Sequence, residues 1–339
     1  MLVLWEVLRG ISLAPQPVVS FARAIAAPLS PTNIFAPASE PAQSVFDLSM
    51  LMLAITGAIF VIVGGLLVYA AVKFRRRKGD DGREPAQVYG STQVELAWTI
   101  TPVIIVLVLF LATMRAIFNI QEIPQPKGAM EVTIVGHQFW WELRYPGLNV
   151  VTANELHLPV GEKTFLTLLS ADTDHSFWVP RLSGKTDLVP NHPNKMWIEP
   201  HQAGVYLGQC AQYCGTQHAM MLLRVYVEPR EDFDRWVAQQ GAAAHAVASA
   251  AEGRRIFERT ACINCHTVAG TAANGRFGPD LTHLMSRETL ASGAAENTPG
   301  NLRRWIERPD AIKPGSLMPP MGLTGHELDA VTAYMASLR

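Results

Sequence analysis

All four cysteines of the chain lie in two short motifs, and each motif carries a histidine that could bind a metal. The first, Cys210 to Met221, reads C-A-Q-Y-C-G-T-Q-H-A-M-M and gathers Cys210, Cys214, His218 and Met221. Thiolates, an imidazole and a thioether together form a soft donor set that selects copper over harder cations. The second reads C-I-N-C-H, with Cys262, Cys265 and His266 at the spacing that attaches a c-type haem. Two redox motifs in one chain make electron transfer the leading expectation. A Cys210–Cys214 disulfide and a zinc site are the alternatives for the first motif. Met221 weighs against zinc, which prefers nitrogen, thiolate and carboxylate donors.

Spacing refines the copper reading. A mononuclear blue-copper site uses one thiolate, two histidines and a weak axial methionine. Here a second thiolate stands four residues after the first, so the pair could bridge two copper ions with one histidine ending each side. The second histidine must come from elsewhere. His175, in D-T-D-H-S-F, follows a strand-like run and precedes Trp178-Val179-Pro180, which is where a distant strand end would supply it.

In the haem motif, Cys262 and Cys265 would form thioethers and His266 the proximal iron bond. The carbonyl of Pro279, in G-P-D-L, is placed to accept the His266 Nδ1 proton. The segment K-P-G-S-L-M-P-P resembles the methionine loop of class I cytochromes c, which implies Met318 as sixth ligand, with Met321 as competitor. Gly253 and Phe257 suit a close helix crossing against the helix of Tyr334. His283 and His326 are expected to be exposed and not to ligate.

The elements that must position these motifs begin in a membrane. The chain has 339 residues, room for two or three domains, and a net charge of −1, so bulk charge argues for no nucleic-acid partner. Leu48 to Val72 and Leu96 to Thr113 carry no charge, and the first can cross a ~30 Å hydrocarbon core with some tilt. Between them stands the basic cluster Lys73-Phe74-Arg75-Arg76-Arg77-Lys78. The positive-inside rule puts this loop in the cytoplasm and both termini on the outer side. That side also suits the cysteine chemistry. Residues 1–27 read either as a cleaved leader or as an outer arm.

From Glu131 onward, short alternating runs such as Glu131–Val135, Lys163–Leu168 and Leu222–Val227 look like strands. Seven or eight of them in about a hundred residues point to a β-sandwich or Greek-key barrel. Asp232 to Gln240 reads as a helix, followed by the Ala-rich stretch Gly241 to Ala251. The rest is helical, ending in Glu327 to Leu338, where Leu328, Val331, Tyr334, Met335 and Leu338 share a face.

Taken together, G-Q-C-A-Q-Y-C-G-T-Q-H-A-M-M with the upstream H-S-F-W-V-P resembles the dinuclear CuA domain of cytochrome c oxidase subunit II. The hairpin with E-L-A-W-T-I-T-P at residues 95–102 is similar to that family too, so the match covers about 45–230. Residues 249–339 resemble a class I cytochrome c. The resemblance implies His175, Cys210, Cys214, His218 and Met221 as side-chain copper ligands, and the backbone carbonyl of Gln212 as another. It implies Cys262, Cys265, His266 and Met318 for one covalently attached haem c.

Two departures and two contacts follow from the same resemblance. Many members carry glutamate where this chain has Gln212, and that carboxylate reaches a magnesium site shared with subunit I. Phe139, in G-H-Q-F-W-W, stands where a tryptophan often receives electrons from soluble cytochrome c. Glu95 either favours its helix N-terminus or lies at the mouth of a proton channel in subunit I. Lys185-Thr186-Asp187 resembles a segment that contacts subunit I.

The expected fold class is therefore a membrane protein: a two-helix transmembrane hairpin, an all-β cupredoxin-like Greek-key domain, then an all-α class I cytochrome c domain. The expected divisions are a leader or outer arm at 1–44, the hairpin at 45–120, the CuA domain at 121–232, an Ala-rich linker at 233–248 and the cytochrome domain at 249–339. The resemblance implies the electron-entry subunit of a caa3-type terminal oxidase in a bacterial inner membrane. Its partners would be subunit I, the other subunits, the lipid bilayer and an external donor such as a cytochrome c or bc complex. The rivals are the inlet subunit of a copper-containing nitric oxide reductase and a copper delivery protein.

Overall fold

The computed structural model describes residues 32–76, 87–121, 124–244 and 250–339. The leader reading of residues 1–27, two members of the basic cluster, and the middle of the Ala-rich stretch lie outside the described residues.

Two helices come first: α1 (Glu40–Lys73) and α2 (Thr92–Gln121). Ser39 caps α1 by accepting the Ala42 N–H, with Glu40 and Pro41 in the first turn, an ordinary helix-start sequence. Both helices are apolar all round, with mean hydropathy of 2.7 and 2.5 in their most apolar windows and no burial there. A helix that presents apolar side chains on every face without burying them is a membrane span. At 34 and 30 residues they are about 51 and 45 Å long, so their polar ends extend beyond the hydrocarbon core. That is why each helix outruns the uncharged stretch seen in the sequence.

The ends of the hairpin nearest the next domain are fastened to it. Ala38 N donates to Arg181 O (2.8 Å), and His201 N donates to Ala38 O (2.8 Å). At the end of α2, Trp197 Nε1 donates to Ile120 O at 2.6 Å. The start of α1 and the end of α2 thus lie on one side, and the end of α1 that carries Lys73, Arg75 and Arg76 lies at the other end of the hairpin.

Ten strands then form two five-stranded sheets. The first runs in the order β3 (Val150–Ala153), β2 (Trp140–Tyr145), β1 (Met130–His137), β5 (Thr164–Ser170), β8 (Asn194–Ile198). The second runs β4 (Glu155–Pro159), β10 (Leu222–Glu228), β9 (Gly204–Cys210), β6 (His175–Trp178), β7 (Thr186–Leu188). β1 pairs parallel with β5 and β4 parallel with β10, while the remaining neighbours are antiparallel. The inward residues of both sheets, among them Ile134, Trp141, Leu156, Leu168, Phe177 and Val225, form one core. Helix α3 (Arg230–Gln240) closes this core with Phe233 and Trp236, so the ordered β-domain continues to Gln240, past the expected start of the linker at 233.

The C-terminal domain packs α4 (Ala251–Arg259), α6 (Pro299–Glu307) and α8 (Gly325–Met335) around a second core. Between them lie the short helix α5 (Cys262–Cys265), the two-residue strands β11 (Thr289–Leu290) and β12 (Ala295–Glu296), and α7 (Pro309–Ile312). The expected helix crossing is present. A Cβ on Gly253 would sit 2.0 Å from Ala330 O, and the Phe257 and Tyr334 rings lie 5.7 Å apart. A capping box at Thr324 and Glu327 starts α8.

Candidate metal centres

β6 pairs antiparallel with β9, opposing Phe177 to Cys210, and this brings the distant His175 to the sulfur-rich loop. The loop is closed by Cys210 N donating to Met221 O (3.0 Å) and held to β6 by Ala211 N donating to Ser176 O (2.9 Å). Cys210, Cys214, Met221 and His175 are all buried, and His218 is half-buried. The two sulfurs stand 3.9 Å apart. His175 Nδ1 lies 3.9 Å from the Cys210 sulfur, and His218 Nδ1 lies 3.7 Å from the Cys214 sulfur. Met221 Sδ is 3.9 Å from the Cys214 sulfur, and Gln212 O is 3.1 Å from the Cys210 sulfur. Every loop residue singled out in the sequence therefore converges, and no disulfide joins any of the four cysteines.

Neighbouring groups prepare these donors. His175 Nε2 donates to Asp172 Oδ1 at 2.7 Å, which turns Nδ1 toward the sulfurs. Burial alone would lower the His175 pKa, but the Asp172 carboxylate and the Cys210 sulfur outweigh it and raise it. Burial would likewise raise Asp172, yet hydrogen bonds from His175, Thr173 N and Gln138 N hold it below the usual range. In the thiol pair, the hydrogen bond shared with Cys214 chiefly pushes Cys210 down, and that same hydrogen bond, followed by burial, pushes Cys214 up. Gly136 is required here, because a Cβ there would sit 2.8 Å from His175 Cδ2.

The second centre surrounds a cavity lined by Cys262, Cys265, His266, Met318 and Met321, with apolar walls from Leu281, Leu302, Ile306 and others. His266 Nδ1 donates to Pro279 O at 2.8 Å, as expected, leaving Nε2 free. Burial pushes the His266 pKa down, so the ring is neutral and able to bind iron at physiological pH. A Cβ on Gly278 would lie 2.5 Å from His266 Cε1. A deep apolar space walled by a C-x-x-C-H helix and methionines fits a haem.

Gln138, Phe139, Trp140 and Asn154 of the β-domain also line this cavity. Phe139, which stands where the family often has a tryptophan, is buried and lines the chain's own second cavity. His283 is a correction. It is buried, not exposed, because its Nε2 is held 3.1 Å from Ala242 O where the chain enters the C-terminal domain. His326 is exposed, as expected, with Glu252 3.9 Å away. Glu95 lies in the first turn of α2, and Lys185 and Asp187 are exposed beside and on β7.

Sequence reasoning missed Asp172 and Gln138 inside the copper domain, and Glu155 and Lys313 across the domain boundary. Gln138 Nε2 donates to Cys214 O at 2.5 Å. Lys313 is buried, and burial pushes its pKa down to about 7. Only Asp172, three residues before His175, left a local signal.

A cupredoxin-like sandwich with a copper-type loop, set between a membrane hairpin and a cytochrome-like domain, defines a membrane-bound electron-transfer subunit. Family models agree along the chain: the transmembrane domain of cytochrome c oxidase subunit II matches residues 30–115, its periplasmic domain 148–227, and cytochrome c 250–339. Cytochrome c oxidase subunit 2 of Alkalihalophilus pseudofirmus is 34% identical over 310 residues, covering 89% of this chain and 90% of that one. The same subunit of Bacillus sp. strain PS3 is 34% identical with the same coverage. The solved periplasmic domain of the Bradyrhizobium japonicum subunit is 26% identical, covering 34% of this chain and 95% of that one at a TM-score of 0.33. The chain belongs to the cytochrome c oxidase subunit II family, with a cytochrome c domain at its C-terminus.

Proposed function

We propose that the chain is the electron inlet of a haem–copper terminal oxidase, taking electrons at haem c, passing them to a dinuclear CuA centre and delivering them to subunit I. There oxygen is reduced to water, coupled to proton translocation. One observation carries the dinuclear reading: two sulfurs 3.9 Å apart, each with its own imidazole nitrogen on it, His175 on Cys210 and His218 on Cys214. A mononuclear blue-copper site uses one thiolate, so a second sulfur with its own imidazole favours a pair of ions. Met221 and the Gln212 carbonyl complete the proposed ligand set, one near each sulfur.

When bound, the copper pair and the haem iron supply reversible one-electron chemistry. The chain's residues hold those groups and exclude water from them. Asp172 fixes the ring of His175, and the buried Cys210, Cys214 and Met221 keep the centre dry. Pro279 O holds the proton of His266 Nδ1, so that Nε2 faces the cavity. Cys262 and Cys265 are the proposed thioether positions and Met318 the sixth ligand. Gln212 is exposed and neutral, so its side chain offers no carboxylate to a metal shared with subunit I.

The proposed setting is a bacterial inner membrane crossed twice, the basic loop in the cytoplasm and both soluble domains on the periplasmic or outer side. The proposed divisions are those of the sequence, with the copper domain carried on to Gln240. Subunit I, the other subunits and an external cytochrome c or bc complex are the partners. Stopped-flow reduction of the intact complex carrying His218→Asn tests the order. Haem c reduces while the haem of subunit I stays oxidised; fast reduction of both would refute the sequence of carriers.

A further inference from the structure

The boundary between the copper and haem domains is built like a protein core. Glu155, at the start of β4, is 2% exposed and turns its carboxylate across the boundary. Oε1 accepts from Thr289 N (2.9 Å), Thr289 Oγ1 (2.9 Å) and Glu288 N (3.0 Å), and Oε2 also accepts from Glu288 N (3.0 Å). Lys313, 3% exposed, reaches the other way. Its Nζ donates to Phe139 O (2.8 Å) in the copper domain and to Ala291 O (3.0 Å) in its own. Between these anchors Leu222 N donates to Ser292 O (3.2 Å), and Ser292 Oγ donates to Leu222 O (2.7 Å).

Withdrawing a carboxylate and an ammonium from water costs several kcal/mol each unless their hydrogen bonds are fully replaced. Surfaces that meet and part keep such charges at a hydrated rim. The exposed Arg224–Glu288 pair, at 3.0 Å, is of that rim kind and contributes little. Glu155 and Lys313 are of the other kind. Both also grip segments next to the redox sites. Phe139 follows Gln138, whose side chain donates to Cys214 O, and Lys313 begins the loop that carries Met318.

We propose that Glu155 and Lys313 are positioning residues for electron transfer between the two centres: they keep the haem domain docked on the copper domain throughout turnover, so transfer does not wait for a tethered domain to collide. This rests on the assignment of the two centres above.

The test uses the full, cofactor-loaded complex, with electron transfer from haem c to copper followed after photoreduction in buffers of rising glycerol and salt. The wild-type rate is expected to stay constant. Glu155→Leu combined with Lys313→Met is expected to slow it at least about tenfold, as loss of fixed geometry does, and to make it viscosity-dependent. The haem absorption band, the copper paramagnetic spectrum and both midpoint potentials stay unchanged. Glu155→Gln keeps an oxygen for Thr289 and retains the wild-type rate. A wild-type rate that falls in proportion to viscosity overturns the proposal, as does a double variant with unchanged transfer. Hydrogen exchange of the 286–293 segment decides the docking without reference to either cofactor. Protection in the wild type supports a permanent interface, and exchange at the rate of an open loop refutes it. A wild type lacking the two-copper spectrum but retaining that protection would indict the ligand assignment alone.

Discussion

In the copper domain every candidate ligand hangs from a paired strand or from the turn joining two strands. His175 opens β6, Cys210 ends β9, and Met221 immediately precedes β10. In the haem domain, His266 follows a single helical turn, and Met318 lies in a stretch without regular structure beside a cavity. The first site is a corner of a core that is already filled. The second is a core with its centre left for the cofactor. A sandwich buries its apolar area whether or not metal is bound, whereas the small helical domain must gain much of its burial from the group inside it.

Denying the haem its attachment has the largest expected effect. Cys262→Ser with Cys265→Ser should abolish cooperative unfolding of the haem domain, read by calorimetry, while the copper domain keeps its transition. Copper removal should only lower the melting temperature of the sandwich. A haem domain that melts cooperatively without its cofactor would end the contrast. Next in size is His218→Asn, expected to cut electron delivery to subunit I by roughly a hundredfold or more, since transfer depends on a correctly formed site. The fold should survive, because the His218 ring is only half-buried.

A matched pair of glycines sharpens the contrast further. Gly136→Ala drives a methyl to within 2.8 Å of His175, and Gly278→Ala to within 2.5 Å of His266. Each overpacks its site at a cost of about 1–3 kcal/mol. In the copper domain the strands resist, so the copper spectrum should change more than the stability. In the haem domain the loops yield, so melting should fall while the haem spectrum shifts little.

The smallest effect concerns acid. Burial would raise the Glu142 pKa, but hydrogen bonds from His137 and Arg144 hold it at about 2 against an ordinary 4.5. A depressed carboxylate contributes stability above its unfolded value and loses it as pH falls through the folded one. Acid unfolding of the copper domain should therefore steepen between pH 4.5 and 2, by about 1–2 kcal/mol after allowance for solvent screening. Glu142→Gln should flatten that part of the curve and leave the haem domain's curve unchanged.

The two regions also differed in how far their sequence could be read. The copper loop was legible because its spacing places four donors within one turn-rich segment, and His175 stood out at a strand end. The haem motif was legible for the same local reason. What stayed hidden was every contact that spans the chain. Gln138 is 76 residues from Cys214, Glu155 is 134 from Thr289, and Lys313 is 174 from Phe139. No periodicity records such pairs. The buried state of His283 was missed because its partner is a backbone carbonyl, which has no sequence signature. The sequence suggested seven or eight strands where the two sheets hold ten; β3 and β6 have four residues and β7 three, too few for an alternation to register.

The clamps at Ala38 and Trp197 bear on how the molecule meets its neighbours. The sandwich is bolted to both uprights of its membrane hairpin, so it has no freedom to swivel on its base. Whatever protein lies beside that hairpin in the same bilayer is shown one flank of the sandwich and never the others. Assembly is thereby reduced from a search over orientations to a search within a plane.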